Sequence, residues 1–369
     1  MPISDQDLLS LFLRLAPIDG GSHAERAIAD EVTALLRASG TRVVEDDASG
    51  KVKGNAGNLL CFPPSFKEGA PAILLEAHLD TVQSTARLKP MVTRDRVTSD
   101  GSTILGADNR MGLALLVDLL LHASHQKTNR RNFFVAFTVC EETGLYGANA
   151  LDLSSHNVST VYVFDCSKRP GIYIHESVGL HAFSAVFAGK AAHAGVAPEE
   201  GVSAIGLSAA AISSIPLGRI DADTTANIGK IHGGEATNIV PDKVKIEGEV
   251  RSFYPDRITK LLQLYRQNFE DAVLGKGSVK FEAIMQFEPY VHASDSSAII
   301  HLETAIRAAG LEPQPIRYMG GSDANVFNAK GITAVNIGIG AQKPHSLEEF
   351  FLIEDLHAAS RIAQKLVEA

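Results

Sequence analysis

The fold is decided by three stretches of sequence, PAILLEAHLD (71–80), DNRMGLALLVDLLLHAS (108–124) and RNFFVAFTVCEE (131–142). The first and third are continuous apolar runs that end in charged residues, a pattern typical of buried strands. The second has the spacing of a helix that begins near Asn109 and packs against a sheet. Because another apolar run, STVYVFDC (159–166), follows, the alternation predicts an α/β layer.

Two helices are predicted before the first of these strands. Ser4 can cap an apolar-periodic segment that runs to about Ala16. Ser22 and Glu25 have the spacing of a capping box for a second helix, which would end before Gly40.

The pattern changes at about residue 178 and changes back near residue 293. Between them, GLHAFSAVFAG, ANIGKI, KVKIEGEVRSF and 279–288 alternate like strands, with helices predicted at 202–213 and 255–273. Beyond them, the α/β pattern resumes and ends in a helix from about residue 353. A chain of 369 residues exceeds the usual size of one hydrophobic core. We therefore predict a larger α/β domain (1–177 and 293–369) interrupted by a smaller α+β domain (178–292).

Composition excludes several classes of protein. The chain is 45% hydrophobic and 21% charged, and nowhere do about 18 apolar residues run together, so we expect no membrane-spanning helix. A net charge of −9 argues against nucleic acid or an anionic membrane as partner. MPISDQDLLS has acidic residues where a secretory signal is basic, so a cytoplasmic location is expected. The three cysteines are widely spaced and odd in number, which predicts reduced thiols.

Histidine and aspartate side chains follow the first predicted strand. His78 and Asp80 form HLD, in which a neutral imidazole could bind a metal while a carboxylate orients it. A structural His–Asp pair is the alternative. Asp108, 30 residues further on, stands just before a helix, where it could equally act as an N-cap.

Two adjacent carboxylates end the third stretch. Glu141 and Glu142 can face one site only if the strand has already ended, because neighbouring strand residues point to opposite faces. Thr143 and Gly144 permit that ending. Such a pair suits a division of roles in which one carboxylate binds metal and the other takes a proton from metal-bound water. A solvated loop is the alternative.

Two further candidates come from later strands. Asp165 ends the apolar run VYVF, and His345 lies in the loop KPHSLEE after the predicted strand TAVNIGI. Like the earlier candidates, they stand near the carboxyl ends of predicted strands, where open α/β sheets bind ligands. Mixed nitrogen and oxygen donors suit zinc, and there are enough carboxylates for one to bridge two ions. The sequence therefore predicts a two-metal site.

Motifs along nearly the whole chain resemble those of one enzyme family. HLDT, GADNRMG, EETGLYGA, FDCS, HAGVAPEEGVSAI, GGEATNIVPD, GGSDAN and PHSLEE resemble, in this order, the co-catalytic di-zinc peptidases, and most closely the peptidase T-like tripeptide aminopeptidases. The resemblance implies an α/β/α catalytic domain with an inserted lid or dimerisation domain. It also implies metal-dependent hydrolysis of peptide or N-acyl amino acid substrates, and a homodimer as one arrangement.

The resemblance also implies residue roles. Two divalent ions, zinc or alternatively cobalt or manganese, would be held by His78, Asp108, Glu142, Asp165 and His345. Asp108 would bridge them, with His78 and Asp165 on one ion and Glu142 and His345 on the other. Asp80 would orient His78, Glu141 would be the general base, and the peptide bond after Asp108 would be cis.

Four further residues are candidates for binding substrate. By family likeness, His193 would reach the reacting carbonyl oxygen, either in its own chain or in a dimer partner. Asp323 in GGSDAN would lie near the pocket. Asn238 and Arg251 could hold the substrate's backbone or carboxylate, since the planar fork of an arginine binds carboxylates bidentately. A hydrogen-bonded strand-end histidine and a surface salt bridge are the alternatives for His193 and Arg251.

Other functions remain open at this point. A related family of large di-zinc aminopeptidases inserts its extra domain between the first histidine and the bridging aspartate, but here that gap is 30 residues while 180 separate Asp165 from His345. An N-acyl-amino-acid hydrolase or a carboxypeptidase is the serious alternative within the favoured family. A binding protein that has kept the fold is disfavoured because Glu141 and all five ligand positions are intact.

Overall fold

A computed structural model describes residues 5–125 and 130–368. The α-helices are α1 (Asp5–Leu15), α2 (Arg26–Ala38), α3 (Ala48–Val52), α4 (Ala107–His125), α5 (Tyr146–Ala150), α6 (Ala204–Ser213), α7 (Pro255–Val273), α8 (Ser297–Ala308), α9 (Asp323–Ala329) and α10 (Ile353–Val367). The strands are β1 (Arg42–Glu45), β2 (Leu59–Phe62), β3 (Ala72–His78), β4 (Pro90–Val92), β5 (Arg96–Ser99), β6 (Phe133–Thr138), β7 (Val158–Cys166), β8 (Ile172–Ser177), β9 (Gly179–Ala188), β10 (Gly218–Asp221), β11 (Thr224–Gly233), β12 (Lys243–Ser252), β13 (Ser278–Phe287), β14 (Tyr290–Val291), β15 (Gln314–Tyr318), β16 (Ala334–Gly338) and β17 (Phe350–Leu352). Of the helices in these two ranges, none combines the length and apolarity needed to cross a membrane.

The chain forms two compact units. Unit 1 comprises Met1–His175, Val291–Arg317 and Ser322–Ala369, and unit 2 comprises Glu176–Tyr290 and Tyr318–Gly321. The second unit thus interrupts the first along the sequence.

Unit 1 is built on a sheet with a parallel centre. Strand β3 pairs in parallel with β6 on one side and β7 on the other, and β16 pairs in parallel with β7. Every residue of β3 and of β6 is buried, as expected for strands covered on both faces. The predicted α/β fold class is confirmed.

Helix α4 lies close against this sheet because of one glycine. A Cβ atom on Gly112 would come within 2.4 Å of the carbonyl oxygen of Phe164 and within 3.0 Å of the Cβ of Ala77. Gly112 therefore lets the N-terminal part of α4 contact β3 and β7 directly. This close packing positions Asp108 and Asn109, which lie near the start of α4 with non-helical backbone angles, beside the ends of both strands.

Unit 2 has one antiparallel sheet and a separate core. Its strand order is β10–β11–β12–β9–β13, and α6 and α7 pack on it. The buried side chains of α7 recur every three or four residues, as in Ile258, Leu262, Tyr265 and Phe269, which is the period of a helix with one buried face. These side chains join Phe183 and Phe281 of the sheet in one cluster.

The predicted capping box at the second helix is wrong. Helix α2 begins at Arg26 rather than after Ser22, and its N-cap residue, Glu25, makes no side-chain capping bond. The Ser22 hydroxyl instead donates to Asp80, and Glu25 accepts from the backbone N–H of Cys140. Both side chains thus contact residues beside the candidate site. The predicted cap Ser4 lies outside the described residues.

Candidate active site

Sheet register brings the ends of four strands together in unit 1. Parallel pairing sets His78, the last residue of β3, opposite Thr138, the last residue of β6. Asp165 is the penultimate residue of β7, which lies on the other side of β3. His345 lies in the loop after β16, the parallel neighbour of β7. The carboxyl ends of parallel strands share one edge of a sheet, so these side chains converge there.

The first cluster consists of His78, Asp108 and Asp165. The Nε2 atom of His78 lies 3.2 Å from Asp108 Oδ1 and 3.3 Å from Asp165 Oδ1. Asn109 donates to the Phe164 carbonyl at 2.8 Å and to Asp165 Oδ1 at 3.3 Å. These bonds fix the carboxylate of Asp165 toward the histidine.

The second cluster consists of Asp108, Glu142 and His345. The Nε2 atom of His345 lies 3.0 Å from Glu142 Oε1 and 3.4 Å from Asp108 Oδ2. Asp108 therefore presents Oδ1 to the first cluster and Oδ2 to the second, the arrangement that a bridging ligand requires. In each cluster the candidate ligand atoms lie within 4.8 Å of one another, and so do those of His78, Glu141 and Glu142.

Asp80 lies behind His78 and is fully buried. Its Oδ1 atom is 3.3 Å from the Nδ1 of His78, whose Nδ1 also lies 3.0 Å from the Asp80 carbonyl oxygen. These contacts leave Nε2 facing the clusters. The same carboxylate accepts the backbone N–H of Glu141 at 3.0 Å and of Glu142 at 3.2 Å. Asp80 thus orients a histidine and the two glutamates at once.

Glu349 holds the segment that carries Asp108. Its buried carboxylate accepts the backbone N–H of Gly106 at 2.7 Å and of Asp108 at 3.0 Å. Because Glu349 follows His345 by four residues, these bonds also tie the His345 loop to Asp108. The Asp108–Asn109 peptide is cis, as the sequence resemblance implies. Sequence reasoning missed Glu349, since its partners lie more than 240 residues away.

The pKa values of the histidines in the two clusters are raised. The nearby carboxylates of Asp108 and Glu142 raise the pKa of His345 to about 10. Burial disfavours the charged imidazole of His78, but hydrogen bonds to Asp108, Asp165 and Asp80 outweigh burial and raise its pKa well above the usual value. Both shifts reflect an excess of carboxylates around each ring.

The pKa values of the two glutamates are also raised, which in a carboxyl group favours the neutral form. Burial, together with the neighbouring carboxylates, raises the pKa of Glu141 well above its ordinary value and also raises the pKa of Glu142. Glu142 Oε1 is buried and makes no hydrogen bond of acceptable geometry, although His345 Nε2 is close. Crowded carboxylates with an unused oxygen and two imidazole nitrogens are a donor set that fits divalent cations.

A hydroxyl group joins two buried carboxyls beneath His78. Thr138 Oγ1 lies 2.8 Å from Glu76 Oε1 and 2.7 Å from Asp323 Oδ2, and both carboxyls are about 1% exposed. A hydroxyl has one hydrogen to donate, so one of the two carboxyls must carry a proton for both contacts to be hydrogen bonds. Burial raises the pKa of Asp323 to about 7. Asp323, predicted to lie near the pocket, is thus buried and bonded to Thr138 beside His78 in unit 1.

The raised pKa of Asp323 predicts how pH acts on the metal-free protein. Folding lifts its pKa from 3.8 to about 7, so between these pH values the folded state holds a proton that the unfolded chain has released. The free energy of unfolding must then fall as pH rises through this window. In Asp323→Asn the part of this loss that is due to Asp323 is absent, so the melting temperature of the variant relative to wild type should rise by several degrees from pH 5 to pH 8. A difference in melting temperature between variant and wild type that does not depend on pH would contradict the raised pKa of Asp323.

The remaining predicted substrate residues lie in unit 2. His193 and Asn238 are exposed and adjacent, because a backbone bond of 2.9 Å joins Ala194 to the carbonyl of Asn238. Arg251 is partly buried, and its Nε atom lies 2.7 Å from Glu249 Oε1. Its Nη1 donates to the Met319 carbonyl at 3.3 Å. The guanidinium is therefore engaged by an intramolecular carboxylate.

A parallel α/β sheet with two histidine–carboxylate clusters that share one aspartate defines a class of protein, the metal-dependent hydrolases. Comparison with known proteins narrows that class. The family model described as "Peptidase dimerisation domain" matches residues 175–275, and the model described as "Peptidase family M28" matches residues 62–196.

Similarities to known proteins over the full length of the chain identify the family more specifically. A crystallised tripeptidase from Staphylococcus aureus superposes with a TM-score of 0.91 and 34% identity, covering 100% of this chain and 99% of that chain. The aminopeptidase PepT from Bacillus cereus gives a TM-score of 0.87 and 33% identity over the same shares. The uncharacterized protein YqjE of Bacillus subtilis is 35% identical over 367 residues, 99% of each chain. The chain belongs to the peptidase T-like metallopeptidases, and it is an enzyme that acts on peptide bonds.

Proposed function

We propose that the protein is a tripeptide aminopeptidase, which removes the N-terminal residue from short peptides. The observation that carries this proposal is the placement of Asp108, whose two oxygens face two different histidine–carboxylate clusters. Full-length similarity to a tripeptidase and to an aminopeptidase supports the choice of substrate.

We assign two divalent ions, most simply zinc, to these clusters. His78, Asp108 and Asp165 would hold one ion, and Asp108, Glu142 and His345 the other; cobalt and manganese accept the same donors. Such ions, when bound, polarise a carbonyl oxygen and make a water acidic enough to attack at neutral pH. Asp80 would keep the Nδ1 side of His78 occupied, so that Nε2 remains free to bind.

Glu141 is proposed as the general base. It lies beside Glu142 and close to His78, but it belongs to neither of the two clusters that share Asp108. Its carboxylate would take the proton of the attacking water and give it to the departing amine. Its raised pKa, due first to burial, makes it a better proton acceptor than an exposed glutamate.

Substrate recognition is proposed to involve polar groups of unit 2. His193 would contact the carbonyl oxygen of the scissile bond, and Asn238 the peptide backbone. Arg251 would release Glu249 and bind a carboxylate of the substrate instead. Its guanidinium already donates to both carboxylate oxygens of Glu249, the geometry with which arginine binds a carboxylate bidentately. We give Asp323 a supporting role beneath His78 in place of direct contact.

The direct test is a panel of tripeptides incubated with the zinc-loaded protein and analysed by mass spectrometry. Free tripeptides should lose their N-terminal residue, while N-acetylated peptides should stay intact. C-amidated peptides, which lack the carboxylate assigned to Arg251, should be cleaved more slowly than free ones. Cleavage of the N-acetylated peptides would replace the proposal with an acylase or a carboxypeptidase. The Glu141→Gln variant serves as the control for contaminating peptidases.

We also propose a homodimer formed through unit 2, supported by the match of the dimerisation-domain model to residues 175–275. Sedimentation of the intact chain tests this, and a single species at the monomer mass would refute it.

A reducing, cytoplasmic compartment is proposed on the basis of Cys61, Cys140 and Cys166, which are all buried and free.

A further inference from the structure

Three successive backbone N–H groups of unit 1 point at two buried carboxylates. The groups belong to Cys140, Glu141 and Glu142, which we call the catalytic turn. Asp80 accepts the N–H groups of the two glutamates, and Glu25 accepts that of Cys140 at 2.9 Å. Cys140 has a φ of 53°, in the left-handed region that residues with a Cβ rarely adopt. The turn therefore needs outside support to keep this shape.

Glu25 is well placed to give that support. Its side chain is fully buried, and one oxygen, Oε1, accepts the N–H of Cys140, the N–H of His23 at 3.0 Å and the thiol of Cys140 at 3.2 Å. Ser22, three residues earlier, donates to Asp80 Oδ2 at 2.6 Å. The segment 22–25 therefore holds the catalytic turn both directly and through Asp80.

A buried arginine adds a positive charge near these carboxylates. Arg110 is fully buried and donates through Nη2 to the carbonyl of Ile18 at 3.1 Å and through Nη1 to that of Leu79. Burial lowers the pKa of Arg110 to about 10, whereas the carboxylates of Asp80, Asp19 and Glu25 act in the opposite direction. Burial also raises the pKa of Glu25, but the carboxylate oxygen accepts these backbone N–H groups whether or not the group carries its charge.

We propose that Glu25 is a positioning residue for peptide hydrolysis, because its Oε1 atom fixes the backbone from which the base Glu141 and the ligand Glu142 project. Glu25 contacts neither cluster and so acts only through the turn. The inference rests on the proposed function for its catalytic part, whereas its effect on Glu142 is independent of the substrate. Small displacements of reacting groups reduce turnover strongly, so the variants should lower kcat more than they change KM.

Two substitutions at Glu25 distinguish the effect of where its acceptor oxygen lies from the effect of its negative charge. Glu25→Gln keeps the length and an acceptor oxygen in place of Oε1 but removes the charge, whereas Glu25→Asp keeps the charge and is one methylene too short to reach Cys140. Positioning predicts that Glu25→Gln retains most of kcat while Glu25→Asp and Glu25→Ala lose about 10–100-fold, with KM within about threefold of wild type. Zinc affinity, measured by chelator competition, should fall about tenfold in the same two variants.

Asp118→Ala provides the matched control. It removes a buried carboxylate paired with His122 at 3.3 Å on the same unit, so it should lower the melting temperature without changing zinc affinity or kcat. With cobalt as probe, the visible absorption spectrum should change in Glu25→Asp and not in Asp118→Ala. Wild-type zinc affinity in Glu25→Asp, or a larger loss in Glu25→Gln than in Glu25→Asp, would overturn the proposal.

The zinc and cobalt measurements also keep this inference separate from the proposed function. If the wild-type protein cleaves no peptide in the panel, the aminopeptidase proposal fails, but the metal affinities of the Glu25 variants still decide whether Glu25 positions Glu142. If the wild type cleaves tripeptides and Glu25→Ala does so equally well with unchanged zinc affinity, only the role of Glu25 is refuted.

Discussion

Replacing Glu141 with glutamine should lower kcat by about 10²–10⁴-fold while the protein keeps its full metal content. Glutamine has nearly the same shape but cannot accept the proton of the attacking water. Glu141 stands outside the two clusters that share Asp108, so the metal ligands should be undisturbed. Steady-state kinetics on a free tripeptide and metal analysis of the same sample measure both quantities.

The adjacent glutamate supplies the contrast for this experiment. Glu142→Gln removes a carboxylate whose Oε1 lies 3.0 Å from His345, so it should lose metal as well as activity. The two variants differ by one position on the same turn and should therefore separate proton transfer from metal binding. Substantial turnover in Glu141→Gln, or equal metal loss in both variants, would contradict the assignment of Glu141 as base.

Sequence periodicity was sufficient to predict the elements that carry the site. The runs before His78 and Glu141 are apolar at nearly every position, and both form strands in which every residue is buried. Parallel strands end at one edge, so predicting the strands also predicted that His78, Asp165 and His345 would converge. The condition for the two glutamates to face one site, that the strand has already ended, is met because β6 ends at Thr138.

Supporting carboxylates escaped sequence reasoning because their partners are backbone groups far along the chain. Ser22 and Glu25 have the spacing of a capping box, yet their strongest partners are Asp80 and the backbone of Cys140, 58 and 115 residues away. Glu349 likewise bonds to Gly106 and Asp108. A local pattern reports the preferences of neighbouring residues, whereas these contacts exist only once the sheet and its loops have assembled. Glu76 escaped in the same way, since an isolated glutamate in a strand carries no sign of a partner such as Thr138.

Asp108 carries the second large expected effect, because it is the one residue that the two clusters share. Asp108→Ala should bind less metal than any variant that removes a ligand of one cluster only. Its hydrolysis of tripeptides should fall to background. The expected loss of affinity exceeds the roughly 10–100-fold that follows removal of an outer-sphere partner, since a direct ligand disappears from both clusters. Metal analysis after dialysis against a fixed zinc concentration gives the stoichiometry.

Comparison with His345→Ala tests whether both ions share Asp108 as a ligand. His345 contacts only the cluster with Asp108 and Glu142, so its removal should weaken one ion and leave the other bound by His78, Asp108 and Asp165. Sharing therefore predicts that His345→Ala retains about one ion per chain under conditions in which Asp108→Ala retains neither. Equal stoichiometry in the two variants would mean that the clusters do not depend on a common carboxylate, and Asp108 would then be an ordinary ligand of one ion rather than the bridge.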